Sequence, residues 1–175
     1  MSTPQRHTLA VHVLDKPGVL TRVAALFSRR GFNIESLAVG LTERPGISRI
    51  TLVAIVDELV LEQLTKQLNK LVEVLKVVEL DDQAVRRRLV LVKVRSTIET
   101  RQQILEIVET FRGKIVDVAA ESLMIEATGS RHKLEALLEL LEPFGIKELA
   151  QSGQIAVARG SRSVSDKSAK PKVII

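Results

Sequence analysis

Residues 8–31 read TLAVHVLDKPGVLTRVAALFSRRG, and the change of period inside this stretch decides the fold class. Leu9, Val11 and Val13 alternate with Ala10, His12 and Leu14 as the two faces of a strand do, and the run stops at Asp15-Lys16-Pro17-Gly18. From Val19 the spacing turns helical: Val19, Leu20, Val23, Leu26 and Phe27 share one face, Arg22, Arg29 and Arg30 lie off it, and Gly31 supplies the stop. Residues 32–41 and 47–56 predict two strands joined by a tip of turn chemistry, Thr42-Glu43-Arg44-Pro45-Gly46. Leu61, Leu64, Leu68 and Leu71 predict a second amphipathic helix, and residues 72–80 a fourth strand. The order is βαββαβ, the split βαβ pattern of ferredoxin-like folds.

The same order recurs after Asp81-Asp82-Gln83, which reads as a solvated linker. Residues 89–94 predict a strand; Ile104, Leu105, Ile107, Val108 and Phe111 a helical face closed by Gly113; residues 115–120 and 123–127 a hairpin. Leu134, Leu137, Leu138 and Leu141 predict a further helix and residues 146–150 a last strand, with 154–158 as an extra one. Local echoes (FSRRG at 27–31 against FRG at 111–113, LEQL at 61–64 against LEAL at 134–137) accompany the repeat. The expectation is an α+β chain of two tandem ferredoxin-like βαββαβ domains, 6–82 and 83–160, each near the smallest size that supports its own core.

Of 175 residues, 45% are hydrophobic and 27% charged, enough aliphatic surface to offset the ordering entropy of folding. The chain has no Cys, Trp or Tyr, which excludes disulfide scaffolds, thiol nucleophiles and Cys-ligated metal sites. No apolar run reaches the ~20 residues of a membrane helix, and residues 1–10 lack a signal-peptide core, so the expected location is the cytoplasm, with no membrane partner. The net charge of +5 is uneven: Arg159, Arg162, Lys167, Lys170 and Lys172 against Asp166 place +4 of it after residue 158. Residues 161–175 therefore read as a disordered basic tail, and the body lacks the basic stripe a nucleic-acid surface needs. An RNA-binding reading, which the element order also permits, lacks the strand Tyr and Trp on which bases stack.

Catalytic patterns are missing. His7, His12 and His132 are too scattered for a metal-ligand spacing, and there is no GxGxxG, GxxxxGK[ST] or GxSxG. One segment has more shape than a soluble core requires: Asp15-Lys16-Pro17-Gly18-Val19-Leu20, at the first strand-to-helix junction. Pro17 presets φ for the first helical turn, Gly18 lets a ligand approach the main chain, and the following amides are those of a helix N-terminus, where a carboxylate is well received. Asp15 either meets an ammonium group or caps the helix, and the whole segment is otherwise an ordinary connecting turn. Asn33, between Phe32 and Ile34 at the start of the second strand, is either a turn residue satisfied by local backbone or, if close in space to that helix N-terminus, suited to recognising a small zwitterion.

At these residues the chain resembles a known family. VLDKPGVLTRVAALFSRRGFNIESLAVG at 13–40 and LEQLTKQLNKLVEVLKVVEL at 61–80 resemble the ACT domain of the small regulatory subunits of acetolactate synthase, and FRGKIVDV at 111–118 and QSG at 151–153 resemble their second domain. D-x-P-G-x-L is shared by ACT domains generally, whereas GFNIESL at 31–37 together with SRIT at 48–51 is specific to those subunits. The resemblance implies that 6–82 is an ACT domain for effector binding and dimerisation. It implies a non-catalytic partner of a large thiamine-diphosphate enzyme, raising its activity and conferring feedback inhibition by valine or another branched-chain amino acid in valine, leucine and isoleucine synthesis. Thiamine diphosphate, magnesium and FAD would belong to that catalytic partner, with no cofactor in this chain. The effector would lie between two ACT domains of a homodimer, held by Asp15, Lys16, Pro17, Gly18, Val19 and Leu20 and by Asn33 and Ile34. Where some members carry Asn, this chain has Asp15, whose charge opposes an effector carboxylate and favours its ammonium. The competing reading is a stand-alone amino-acid-sensing module acting on another enzyme or a transcription factor.

Overall fold

The computed structural model describes residues 3–161 and 163–165. They fall into two units: the chain up to Val85 together with the segment from Gln154 onward, and Arg86–Gly153.

The first unit contains β1 (Gln5–Leu14), α1 (Val19–Ser28), β2 (Ile34–Leu41), β3 (Ile47–Val56), α2 (Glu58–Leu68) and β4 (Val74–Leu80). Its sheet has the order β2-β3-β1-β4, antiparallel throughout, so β2 and β4 are the edges. One face carries both helices over a core of Leu9, Val11, Val13, Val19, Val23, Phe27, Ile50, Leu52, Leu61, Leu64, Leu68 and Val77. Phe27 is fully buried, and truncating it to Ala would cost about 3–5 kcal/mol. After α1 the chain reverses at Gly31, φ 69°, with the Phe32 amide donating back to the Phe27 carbonyl at 3.1 Å, a Schellman closure that needs a left-handed residue. Asp57 caps α2 by accepting from the Val60 amide at 2.8 Å.

The other face of this sheet is covered as well. Thr8, Ala10 and His12 alternate with the core residues of β1, yet all three are buried. Ala10 packs with Leu80, Ala84, Ala156 and Val164 in a second apolar cluster. The segment beginning at Gln154, with its short strand β9 (Ile155–Val157), supplies that cover. The Gln154 amide donates to Ser36 Oγ (2.7 Å), Arg49 Nη2 to the Ala156 carbonyl (2.5 Å), Arg159 Nε to the Gln83 carbonyl (3.0 Å), and Arg44 Nη2 to the Ser165 carbonyl (3.3 Å).

The second unit repeats the order with β5 (Val85–Arg95), α3 (Ile98–Thr110), β6 (Lys114–Val118), β7 (Ser122–Gly129), α4 (Arg131–Leu141), a 3-10 turn (Glu142–Phe144) and β8 (Ile146–Gln151). Its strands follow the order β6-β7-β5-β8, with Val90, Val92, Val94, Ile104, Val108, Ile125, Leu134, Leu137 and Leu141 in the core.

The two βαββαβ halves agree with the sequence pattern, and four details differ. Leu20 and Leu105, assigned to buried helix faces, are 41% and 37% exposed, because Val19/Val23/Phe27 and Ile104/Val108 fill those faces. The left-handed residue after α3 is Arg112, φ 53°, not Gly113. Gly113 is small for another reason: a Cβ there would lie 3.1 Å from Val108 Cγ1 and 3.3 Å from the Glu126 carbonyl. Residues from 154 onward, read as the end of the second domain, group with the first unit in the fold. Finally, the tail expected to be disordered from 161 is packed at Val164, 5% exposed, and Ser165 donates to Glu43 at 2.8 Å. Arg162 and 166–175 lie outside the described residues.

Candidate functional site

Asp15-Lys16-Pro17-Gly18-Val19-Leu20 forms the connection between β1 and α1. Gly18 has φ 84° and ψ −10°, and the Val19 amide approaches the Lys16 carbonyl at 3.4 Å. These are the marks of a type II turn with Pro17 at its second position and Gly18 at its third, the position that demands positive φ. Pro17 therefore precedes α1 and does not form its first turn as the sequence suggested, and Gly18 is the N-cap. A non-glycine residue at Gly18 would be strained, although a Cβ built there meets nothing within 4 Å. Open space thus lies in front of the helix start.

No side chain caps α1, so Asp15 leaves the helix end open. The first i to i−4 bond from this end runs from the Arg22 amide to the Gly18 carbonyl (3.1 Å), ahead of which stand the Leu20 and Thr21 amides at the positive end of the helix dipole. The matching position in the second unit is closed: Thr97 and Thr100 form a reciprocal capping box, and Arg101 Nη2 donates to the carbonyls of Ala119 and Ala120. Of the two repeats, only the first presents a free helix start.

Asp15, Lys16, Pro17 and Gly18 are exposed. Leu20 is partly exposed beside them, whereas Val19 is 4% exposed and belongs to the core, so only its main chain can face a ligand. The turn is held from behind. The Asp15 amide donates to the Gly46 carbonyl at 2.9 Å and the Leu14 amide to the Glu73 carbonyl at 2.8 Å. Arg22 in the first turn of α1 pairs with the Glu73 carboxylate, which lies below its ordinary pKa through its own amide and then through Arg22.

Asn33 is exposed, precedes β2, and makes no hydrogen bond to a described residue; Ile34 is half-buried against the core. Neither is near the turn within one chain. Ile34 pairs with Ala54, which pairs with His7, while Leu14 pairs with Ile47. Seven residues of β1 separate these rows, roughly 23 Å at the usual strand rise. The two parts of the candidate site therefore sit at opposite ends of one sheet, contrary to a reading in which Asn33 lies beside the helix start of its own chain. The sequence read Gly46 as part of the hairpin tip alone, whereas pairing Leu14 with Ile47 also places it beside Asp15.

The histidines are separate. His7 is buried against Glu79 (2.6 Å), His132 is exposed on α4, and His12 lies on the covered face of the first sheet. Among the described residues no three His, Asp or Glu side chains gather as a metal-binding group, and no helix is long and apolar enough to cross a membrane.

Residues 9–76 match the family model for the AHAS small subunit-like ACT domain, and residues 87–160 match that for the small subunit of acetolactate synthase. The chain is 58% identical over 163 residues to the acetolactate synthase small subunit of Mycobacterium bovis, spanning 93% of this chain and 97% of that one. It is 51% identical over 157 residues to the probable acetolactate synthase small subunit of Archaeoglobus fulgidus, spanning 90% and 99%. The crystal structure of the acetolactate synthase small subunit from Thermotoga maritima superposes with a TM-score of 0.85 at 44% identity, over 90% of this chain and 99% of that one. Sequence, fold and the two matched domains agree: this chain belongs to the family of acetolactate synthase small subunits.

Proposed function

We propose that this chain is a non-catalytic regulatory subunit that activates the thiamine-diphosphate-dependent large subunit of acetolactate synthase and makes it subject to feedback inhibition by valine or a related branched-chain amino acid. In this reading thiamine diphosphate, magnesium and FAD belong to the large subunit, a transferase of the cytoplasmic pathway to valine, leucine and isoleucine.

The observation that carries the effector reading is the separation of Asn33 from the Pro17-Gly18 turn. Edge strand β2 has a free side, and Val39 and Leu41 near its end are 49% and 78% exposed. A second copy pairing antiparallel along β2 would set its own Asn33 beside Leu41 and the hairpin tip, and the tip holds Asp15 through Gly46. Each dimer would then contain two composite sites, each with a turn from one copy and a strand start from the other.

The chemistry suits a small aliphatic amino acid. The effector carboxylate lies against the free amides after Gly18, where the helix dipole favours negative charge. Asp15 faces its ammonium group, Asn33 of the second copy supplies a neutral hydrogen bond, and the exposed edges of Leu20 and Leu41 meet the side chain. The test is acetolactate formation by the large subunit with and without this chain across a valine series. Activation that valine reverses is the expected result, and a rate indifferent to the chain would refute the reading.

A further inference from the structure

The two elements that neighbour the proposed effector residues, strand β2 and the β2–β3 hairpin tip, are bonded to the segment that follows the second unit. Ser36, two residues beyond Ile34 on β2, accepts the Gln154 amide at 2.7 Å, and Gln154 directly follows Gly153, the last residue of that unit. The hairpin tip, whose Gly46 holds the Asp15 turn, binds the far end of the same segment. Arg44 donates to the Ser165 carbonyl, and Glu43 accepts from Ser165 Oγ. Between these ends, Arg49 on β3 donates to the Ala156 carbonyl, and Ala156 and Val164 are buried against Ala10, Leu80 and Ala84.

The charges beneath the segment give it a reason to be there. Arg49 and Lys76 are the direct cross-strand partners of His12 on this face of the sheet, so two cations flank one imidazole. Arg49 answers by directing its guanidinium to a main-chain carbonyl of the segment, as Arg44 does further along. These bonds recognise backbone and act as fixed clips.

We propose that the described residues 154–161 and 163–165 form a strap that transmits the state of the effector site to the second unit, with Ser36, Arg44 and Arg49 as the positioning residues that hold it. The strap touches the sheet at β2 and at the hairpin tip, the elements that carry Asn33 and brace Asp15. A change in either on effector binding is imposed on a segment that continues without interruption into the second unit. This rests on the effector reading above, and bound effector and its consequence become separable quantities.

The test uses the full chain reconstituted with the large subunit. Arg49→Met and Ser36→Ala each remove one clip and touch no proposed effector contact, and Arg49→Lys keeps a donor. Valine binding is measured by calorimetry, and activation and half-inhibition by acetolactate formation. The strap predicts that both disrupting variants bind valine within about threefold of the parent and still activate, while their half-inhibition concentration rises tenfold or more; Arg49→Lys stays within threefold of the parent in every measurement. If Arg49→Met does not fold, Ser36→Ala carries the same comparison. Inhibition within threefold of the parent overturns the strap, and so does loss of binding together with inhibition, which would make the segment part of the effector site's own support. A parent chain that binds no valine overturns the effector reading, and the strap's role falls with it.

Discussion

The amide of Asp15 donates to the carbonyl oxygen of Gly46 at 2.9 Å, which ties the strand-to-helix turn to the tip of the β2–β3 hairpin. The tie follows from the register of β1 against β3, because Leu14 faces Ile47 and leaves Asp15 and Gly46 adjacent. A ligand lodged against the turn therefore also acts on the hairpin.

Gly18→Asp should abolish the response to valine and spare activation. Asp at φ 84° costs about 1–2 kcal/mol of backbone strain, and a Cβ there meets nothing within 4 Å, so the chain is expected to fold. Its charge occupies the space the effector carboxylate needs. Activation and half-inhibition measured separately decide the matter, with a tenfold or greater rise in the latter expected.

Asn33→Ala should leave stability within about 0.5 kcal/mol, since the side chain is exposed and makes no hydrogen bond to a described residue. Losing one neutral hydrogen bond to the effector costs about 0.5–1.5 kcal/mol, or about 2- to 13-fold in affinity. The composite geometry adds a sharper expectation. In a mixed dimer of one Gly18→Asp chain and one Asn33→Ala chain, one site carries both lesions and the other neither. Valine inhibition should therefore return at half the sites, and a mixed dimer with no high-affinity site would contradict sharing between copies.

His12 makes the first unit sensitive to acid. Burial lowers its pKa from the ordinary 6.5, Arg49, Arg44 and Lys76 lower it further, and Glu43 opposes them. The unfolded chain thus takes up the proton more readily, so this contribution to stability is complete above about pH 6.5 and is lost as pH falls toward the depressed folded value. Thermal melting of the parent and His12→Gln between pH 7.5 and 5 should show the steeper loss in the parent. Equal slopes would remove His12 from the account.

Gly113→Ala should destabilise the second unit by about 1–3 kcal/mol, because its Cβ would press on Val108 and on the Glu126 carbonyl. A shift in the urea midpoint at constant slope is the readout, with valine binding unchanged.

The element order was legible because each period in the sequence is unambiguous over its own length. The Pro17-Gly18 turn was legible because few residues other than glycine accept its third position. Two things were not. The distance between Asn33 and the turn depends on which way α1 carries the chain across the sheet, and adjacency in a motif says nothing about that. The strap escaped because its buried apolar contacts are few, Ala156 and Val164 among its described residues, and its other bonds come from main-chain groups and the Arg159 and Ser165 side chains, while its Arg and Ser content reads as solvated. A trace of it did exist in β1, where Thr8, Ala10 and His12 are small or weakly polar, as residues beneath a second layer would be.

The first unit is finished by residues that come after the second has been made, and this sets an order of events on the ribosome. Roughly 80 residues separate Val85 from Val164, so at about 5–20 residues per second the face around Ala10 and Leu80 waits some 4–16 s for its cover. Until then Ala10, Leu80 and Ala84 lack the cover that Ala156 and Val164 supply. Burial of the first unit's second face thus depends on residues translated only after the whole of the second unit.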